Sequence, residues 1–489
     1  MKKLFLAFAL LIVVLAGLIA GAGFAFKATI EESARNTMLN LMGPGESSVQ
    51  EVSFNPLTRA ITASNWRSTY TSNQEKFQAV ISRASGTISL RGLLSYLPLL
   101  DNLCFADEDF VPVIDNLTLS DCSWQGDSLS ATASDLNIGT VSLAYSLARQ
   151  YYTGVRPPFI SSVNGFRADA VEIANLSVQE TKHGRTKNSL LAKKVEIQEL
   201  LGASAALIRL HGLLLTNRQK TNWAVDALTF TDVRISPELC SELVAYGQSP
   251  TGVIPPSLQN SLAANGRIFS QAAAENILYT EKGIALPVTI TRCTLDWQED
   301  PKAPLNMAFA GVRIPSSILP PDLAPGLEGM PTVALDGSMQ FTSQNPARLA
   351  FSAKMKDLAD IGGDIVLRLD SMLCQDLSVT WKDHGLMARL ARCVSPDPHL
   401  TSMGLNVAIM SLCANGSEED REQCLRITSF VERPGTISVK MKKDRPRALC
   451  SLDDFLARFG AFLEVSTTQG EKSLSEQSEA IFAKAKKSN

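Results

Sequence analysis

The stretch of residues 349–382 decides the fold class. It reads LAFSAKMKDLADIGGDIVLRLDSMLCQDLSVTWK and holds three short runs in which apolar and polar residues alternate. The apolar positions of these runs are Leu349, Phe351, Ala353 and Met355, then Ile365, Leu367 and Leu369, then Leu377, Val379 and Trp381. Strict alternation places successive side chains on opposite faces of a strand. The stretch therefore predicts an antiparallel meander.

The N-terminal half carries a looser version of the same pattern. Its runs hold two or more apolar residues, then a short polar step, then further apolar residues. They lie at 113–119, 171–178, 195–200 and 228–235. The spacing between them is irregular, which argues against a repeat array and indicates successive strands of one large sheet. Apolar residues around Asn55 and Pro56 also predict a hairpin over 52–61.

Helical stretches interrupt the predicted strands. The sequence predicts a helix over 28–42, a helical insertion near 237–280 and an amphipathic helix over 452–463. Within the insertion we expect helices over 237–246 and 258–278, and the C-terminal part adds helices over 383–394, 400–413 and 418–431. The predicted fold class is therefore α+β: a β-rich, mostly antiparallel sheet in an elongated body with helical insertions, after one N-terminal transmembrane helix.

Proline density suggests how this body is divided. Six prolines fall between positions 302 and 331, and proline at this density marks a loop or a seam. We therefore expect an N-terminal β-rich lobe over 28–301, a proline-rich seam over 302–331 and a C-terminal α+β lobe over 332–465. The polar residues 466–489 are expected to form a mobile tail.

The first 27 residues predict the compartment. Lys2 and Lys3 precede an uncharged apolar run over 4–26, and charge returns at Lys27. Such a run is long enough to cross a hydrocarbon core, and the paired lysines favour the cytoplasmic side. Residues 1–27 are therefore expected to anchor the chain once in a bacterial inner membrane, with the body in the periplasm. Small residues at 20–22 leave a second possibility open, which is a signal peptide cleaved after Ala22 to give a periplasmic protein.

The nine cysteines are widely spaced, and no C-x-x-C occurs. This spacing supports neither a zinc ribbon nor a redox pair. In an exported protein we expect disulfides, with Cys413–Cys424 as the first candidate pair and Cys104–Cys122 as the second. An odd count leaves at least one thiol outside an intrachain pair, and buried free cysteines remain the alternative.

Signatures of chemistry are missing from the sequence. It contains no G-x-S-x-G elbow, H-E-x-x-H, P-loop or EF-hand loop. A net charge of −3 provides no basic field for nucleic acid, and only four histidines occur. We therefore predict that the protein is not an enzyme and has no catalytic residue, no metal ligand and no cofactor.

The order of these features resembles that of the AsmA-like envelope proteins. The resemblance rests on the hairpin VSFNPLT (52–58) after the apolar run, on the repeated short strands, and on the blocks LSVTWKDHGL (377–386) and FVERPGTISV (430–439). It implies an inner-membrane anchor, a β-rich periplasmic body and a role in lipid traffic along an apolar groove. It transfers no ligand residue, because the pattern is one of alternation rather than identity.

Two functions from different classes follow from this reading. In the first, a non-enzymatic envelope protein presents an apolar sheet face to lipid or to a partner that handles lipid. In the second, a scaffolding protein closes its sheet with its own helices and binds another envelope protein. A hydrolase with an unrecognised site is the third possibility. An apolar face left open along the sheet favours the first function, and a fully covered sheet favours the second.

Overall fold

The computed structural model contains two compact units. The N-terminal unit comprises Met1–Lys220 and Ala224–Ser270, and the C-terminal unit comprises Thr221–Trp223 and Gln271–Asn489. The structure describes residues 27–41, 46–72, 75–95, 109–155, 157, 159–182, 185–217, 221–248, 255–282, 284, 286–298, 300, 303–342, 344–368, 373–395, 397–412, 417–442, 447–448 and 463–488.

Strands dominate both units. The strands β1 to β20 are Glu46–Ser48, Glu51–Asn55, Ala60–Ser72, Glu75–Ile88, Phe110–Gln125, Leu129–Ala144, Phe166–Lys182, Arg185–Leu201, Ala205–Asn217, Asn222–Val233, Gln271–Thr280, Val288–Trp297, Leu305–Pro315, Thr332–Thr342, Ala347–Met355, Ala359–Arg368, Leu373–Asp383, Thr436–Met441, Arg447–Ala448 and Leu463–Thr468. The helices α1 to α10 are Lys27–Leu41, Leu90–Ser95, Tyr145–Tyr152, Phe159–Asn164, Pro237–Gln248, Pro256–Asn265, Leu386–Val394, Pro398–Leu412, Glu418–Glu432 and Leu474–Ser488. The β-rich, antiparallel α+β class predicted from the sequence is therefore confirmed.

The N-terminal unit is an antiparallel meander closed at one end by helices. Strands β2 to β9 pair in sequence order, and β2 and β3 form the hairpin predicted over 52–61. Helices α1 and α3 pack on the start of this sheet. The buried side chains of this core include Ile30, Ala34 and Met38 of α1, Phe54, Ile61, Trp66 and Ile88 of the strands, and Leu147, Ala148 and Tyr151 of α3. Each large apolar side chain buried here contributes about 1.5–3 kcal/mol.

The polar steps of the N-terminal runs contain residues with left-handed backbone. Asn116, Asn175, Glu199 and Asp232 have φ between 51° and 53°. At Asn116 the register of β5 against β4 shifts, which marks a β-bulge that changes the alternation of side chains and bends the strand. Ile114 and Leu117 flank Asn116 and would point to opposite faces of a regular strand. Both pack against the same core, so the polar step keeps the apolar residues on one face.

The C-terminal unit contains the meander that residues 349–382 predict. Strands β11 to β18 pair antiparallel in sequence order, and β18 then pairs with β20. Three of its helices are those expected near 383–394, 400–413 and 418–431. Helix α9 begins with a capping box, in which the Ser417 hydroxyl accepts a hydrogen bond from the Asp420 amide at 3.2 Å.

Helices α9 and α8 form two successive layers outside β18 and β20. The Gln423 side chain of α9 accepts a hydrogen bond from the Val465 amide, and Arg426 donates to the Val465 carbonyl, both at 2.7 Å. Helix α8 packs on α9, where the Asn406 side chain donates to the Glu432 carboxylate at 3.1 Å. Helices α7 and α10 pack together around Ala388, Ala391 and Leu474.

The predicted helix over 258–278 is wrong in its second half. Helix α6 ends at Asn265, Gly266 follows with φ 66° and β11 begins at Gln271. Alanine-rich β11 has high helix propensity, but its residues pair with β12, and this tertiary pairing overrides a weak local preference. The helical insertion therefore extends over 237–265 rather than to 280.

The proline-rich stretch over 302–331 is not a seam between the two units. Its described residues form β13 and two 3₁₀ turns, Ser316–Ile318 and Pro321–Leu327. Pro315 is the last residue of β13, a position where a strand tolerates proline, and most of the others lie in or beside the turns. The division between the two compact units falls after Ser270 instead.

Residues 466–489 are not the mobile tail predicted from their polarity. They include the end of β20 and helix α10. Leu474, Ser478 and Phe482 recur every four residues and are buried, so one narrow stripe holds the helix in place. The Glu476 carboxylate accepts hydrogen bonds from the Ser473 amide and hydroxyl at 2.7 and 3.0 Å, and the Ser473 amide bond is the main cause that lowers the pKa of Glu476.

The expected membrane segment lies almost entirely outside the described residues, which begin at Lys27. Within the described ranges, no helix combines the length and the hydropathy needed to span a membrane. The amphipathic helix predicted over 452–463 also falls outside these ranges, apart from Leu463, which is the first residue of β20.

Candidate functional site

The C-terminal sheet has one apolar face, which extends over β12 to β17. Residues that pair directly across neighbouring strands share a face, and three rows of such pairs cross all six strands. The rows are Trp297–Leu305–Phe341–Leu349–Ile365–Leu377, then Leu295–Met307–Met339–Phe351–Gly363–Val379, then Cys293–Phe309–Gly337–Ala353–Ile361–Trp381. Each position in these rows is apolar or glycine. We call this surface the apolar face.

The opposite side of the same strands is polar. The Ser338 and Ser352 hydroxyls hydrogen bond across β14 and β15 at 2.8 Å, and those of Thr380 and Ser438 do so across β17 and β18 at 2.9 Å. Arg348 of β15 forms a charged pair with Asp364 of β16, and this hydrogen-bonded pair raises the pKa of the arginine. Contact with solvent explains why this side is polar. It does not explain why the other side of the same strands is apolar.

The side chains of the apolar face are only partly covered. The central residues Met339, Phe351, Ile365, Leu377 and Val379 are all partly exposed. At the rim, Trp297 and Phe341 are each 38% exposed. Among the described elements, no helix makes an extensive contact with β12 to β16. An apolar sheet surface that the described helices leave uncovered is typical of a site that contacts another protein, a membrane or a ligand.

Two phenylalanines lie against glycines of the neighbouring strand. The Phe351 ring occupies the space above Gly363, where a Cβ atom would lie 2.9 Å from its Cζ atom. The Phe309 ring lies in the same way over Gly337, where a Cβ atom would lie 2.7 Å from its Cε2 atom. An aromatic ring that covers a cross-strand glycine supports the sheet where the glycine has no side chain. The rings therefore lie close to the backbone of the neighbouring strand and project little from the apolar face.

Helix α9 limits the apolar face at β17. The Trp381 ring meets Phe430 of α9 edge to face, with ring centroids 5.4 Å apart. The open part therefore extends from β12 to the start of β17. Six strands spaced about 4.8 Å apart make it about 24 Å wide, and the three rows add about 14 Å along the strands.

A polar cavity of about 580 Å³ lies elsewhere in this unit, at the end of β17. Its wall includes Asp383, whose carboxylate accepts hydrogen bonds from the amides of Gly385 and Met387, both at 3.0 Å. Burial raises the pKa of Asp383, while these amide bonds oppose that rise. This carboxylate caps α7. The neighbouring His384 bonds Asp360 at 3.1 Å rather than a second group in the cavity.

The described residues contain no group of three or more histidine, cysteine or acidic side chains placed to hold a metal ion. The sequence named no catalytic, cofactor or metal residue, so none could be located. It also missed the apolar face as a unit. Its alternation signal was present in β15 to β17, but the pairing of these strands with β12 to β14 is a long-range feature.

The cysteines are placed as follows. Cys424 is disulfide-bonded, and Cys413 lies outside the described residues, so the Cys413–Cys424 pair stays a prediction. Cys122 is a free thiol, which gives no support to a bridge with Cys104, itself outside the described residues. Cys240, Cys293, Cys374 and Cys393 are also free. Burial raises the pKa of Cys122, Cys240 and Cys374, so these thiols are poor nucleophiles at neutral pH.

Comparisons with known proteins assign no family to the chain. No protein-family model matches it, and no curated protein sequence matches it.

Proposed function

We propose that the protein is a non-enzymatic cell-envelope protein that binds the acyl chains of lipid on the apolar face. Residues 1–27 would anchor it in the inner membrane, and the body would lie in the periplasm. This is the role that the resemblance to AsmA-like proteins implies. The observation that carries the proposal is the uncovered apolar face of β12 to β17.

The dimensions of the apolar face suit an acyl chain. A hydrocarbon core about 30 Å thick gives one leaflet about 15 Å, which is the reach of one acyl chain. The face extends about 24 Å across its strands. One chain lying across the strands would therefore contact apolar side chains along its whole length. At Gly337 and Gly363, where no side chain projects and the phenylalanine rings lie close to the backbone, the acyl chain would have room.

The chemistry of the apolar face also fits a lipid better than a catalytic substrate. Its three rows contain no side chain with a formal charge and no hydroxyl. A small-molecule site normally adds a few polar groups that fix the orientation of the ligand. A surface that recognises only apolar area suits a ligand that varies in headgroup and keeps its acyl chains.

A scaffolding role is the second candidate function. It draws support from the N-terminal unit, where α1 and α3 cover the first strands. In this function the helices of the chain would close its sheet, and the body would bind another envelope protein.

Native mass spectrometry of the full chain distinguishes these functions. The protein is extracted from membranes in mild detergent and transferred to the gas phase. We expect masses that exceed the chain mass by whole phospholipids, because a bound chain buries apolar area at about 25 cal/mol per Å². If the protein carried no lipid and a second protein remained bound instead, the scaffolding function would be favoured.

A further inference from the structure

Helix α8 has a second uncovered apolar surface, distinct from the apolar face of the sheet. Leu400, Met403 and Val407 are 59%, 63% and 63% exposed, and Met410 is also exposed. Their spacing of three, four and three residues places them along one side of the helix. Gly404 and Ala408 lie beside them, with open space where a Cβ atom of Gly404 would be. We call these residues the outer stripe of α8.

The outer stripe presents no unsatisfied polar side chain. Helix α8 contains no lysine, arginine, aspartate or glutamate. The hydroxyl on this side belongs to Ser411, and it donates to the Ala408 carbonyl of its own helix at 2.8 Å. A serine satisfied within its helix is typical of helices that lie in an apolar medium.

The inner side of α8 fixes the helix to the body. The Thr401 hydroxyl lies 3.2 Å from the Ala391 carbonyl of α7, and the His399 ring bonds the Ser475 hydroxyl of α10 at 2.9 Å. Asn406 bonds Glu432 of α9. Three neighbouring helices therefore hold α8, and the outer stripe is the side they leave uncovered.

A protein partner does not suit the outer stripe of α8. Protein interfaces concentrate tyrosine, tryptophan and arginine, and they carry about one hydrogen bond per 100–200 Å². The outer stripe contains none of these side chains and has no free donor. A single stripe would also provide a second copy of this chain with far less than the roughly 800 Å² per partner of a stable interface.

We propose that the outer stripe of α8 contacts the surface of a lipid bilayer, with its apolar side chains inserted at the headgroup boundary. An interfacial helix buries one apolar side in this region. The opposite side of such a helix is usually charged, and here packing on α7, α9 and α10 takes the place of those charges. The inference rests on the proposed function, because a body that takes up lipid must meet a membrane.

Photo-crosslinking in vesicles tests this contact. The full chain carrying Val407→p-benzoylphenylalanine is reconstituted into phosphatidylcholine vesicles, which have no net charge, and is then irradiated. The matched control places the same group at Glu422 of α9, whose side chain is 60% exposed. We expect phospholipid adducts at position 407 and several-fold fewer at position 422.

The other crosslinking outcomes would each overturn the proposal. Adducts of position 407 with a second copy would assign the stripe to self-association, and adducts within the same chain would assign it to an internal segment. Equal lipid labelling at both positions, or none at 407, would remove the contact. If native mass spectra showed bound lipid but position 407 gave no adducts, the proposed function would be retained and the bilayer contact of α8 would be rejected. If position 407 gave lipid adducts but native mass spectra showed no bound lipid, the bilayer contact would be retained and the proposed function would be rejected.

Discussion

Phe351→Glu is expected to remove most of the lipid that co-purifies with the protein. Phe351 lies at the centre of the apolar face, where it pairs with Met339 and Gly363. A carboxylate there must either lose its hydration or exclude the acyl chain. Because burying an unpaired charge costs several kcal/mol, we expect retention to fall at least about tenfold. Native mass spectrometry of lipid per chain measures the change.

The adjacent residue provides the control for this variant. Ser352 lies on the polar side of the same strand and is exposed. Ser352→Glu adds the same charge one residue away and should retain lipid as the unmodified chain does. Ser352→Glu should unfold near the denaturant concentration of the unmodified chain, since a surface charge usually changes stability by less than about 0.5 kcal/mol. Phe351→Glu also loses the ring that covers Gly363, so its lipid content is compared without denaturant, in a condition from which it still unfolds cooperatively. Equal lipid loss in both variants would show that the apolar face is not the binding surface.

Gly363→Ala is expected to lower both stability and lipid retention. Its Cβ atom would lie 2.7 Å from the Ser378 carbonyl oxygen and 2.9 Å from the Phe351 ring. The backbone cannot move aside cheaply, so we expect a loss of about 1–3 kcal/mol in the free energy of unfolding. The displaced Phe351 ring would also rise from the sheet into the space for the acyl chain. Chemical denaturation and lipid content measure the two effects.

Gly362 is the matched control for Gly363. A Cβ atom at Gly362 would come no closer than 3.4 Å to any neighbour, and the residue faces the polar side. Gly362→Ala should therefore be neutral or stabilise by about 0.4–1 kcal/mol, because alanine restricts the unfolded chain. If both alanine variants unfold at the same denaturant concentration, the close approach of Phe351 to Gly363 has no structural role.

Local alternation was enough to predict strands β15 to β17, because each of them contains a run with a period of two. The polar steps in the N-terminal runs were visible in the sequence, but their meaning was not. Asn116 and Asn175 adopt left-handed backbone, and the sequence does not distinguish a left-handed residue from an ordinary polar position. The strand β11 was missed because its alanines favour a helix, and only its pairing with β12 makes it a strand.

The candidate site was predictable as a type of surface but not as a place. Alternation indicates that Phe351 and Val379 share a side with their neighbours, yet the register that aligns them with Met307 and Met339 depends on strands far away in the chain. Whether helices cover that side is a tertiary property. The same holds for α8, whose apolar composition is evident while its uncovered side is not.

Photo-crosslinking on the apolar face itself identifies directly what this face contacts. Phe351→p-benzoylphenylalanine replaces one aromatic side chain by another, and Ser352→p-benzoylphenylalanine places the same group on the polar side. The two full chains are irradiated in native membranes, and the adducts are identified by mass. We expect acyl-chain adducts at position 351 and few at position 352. Adducts with another protein at 351, or equal lipid labelling at both positions, would contradict the proposed binding of acyl chains.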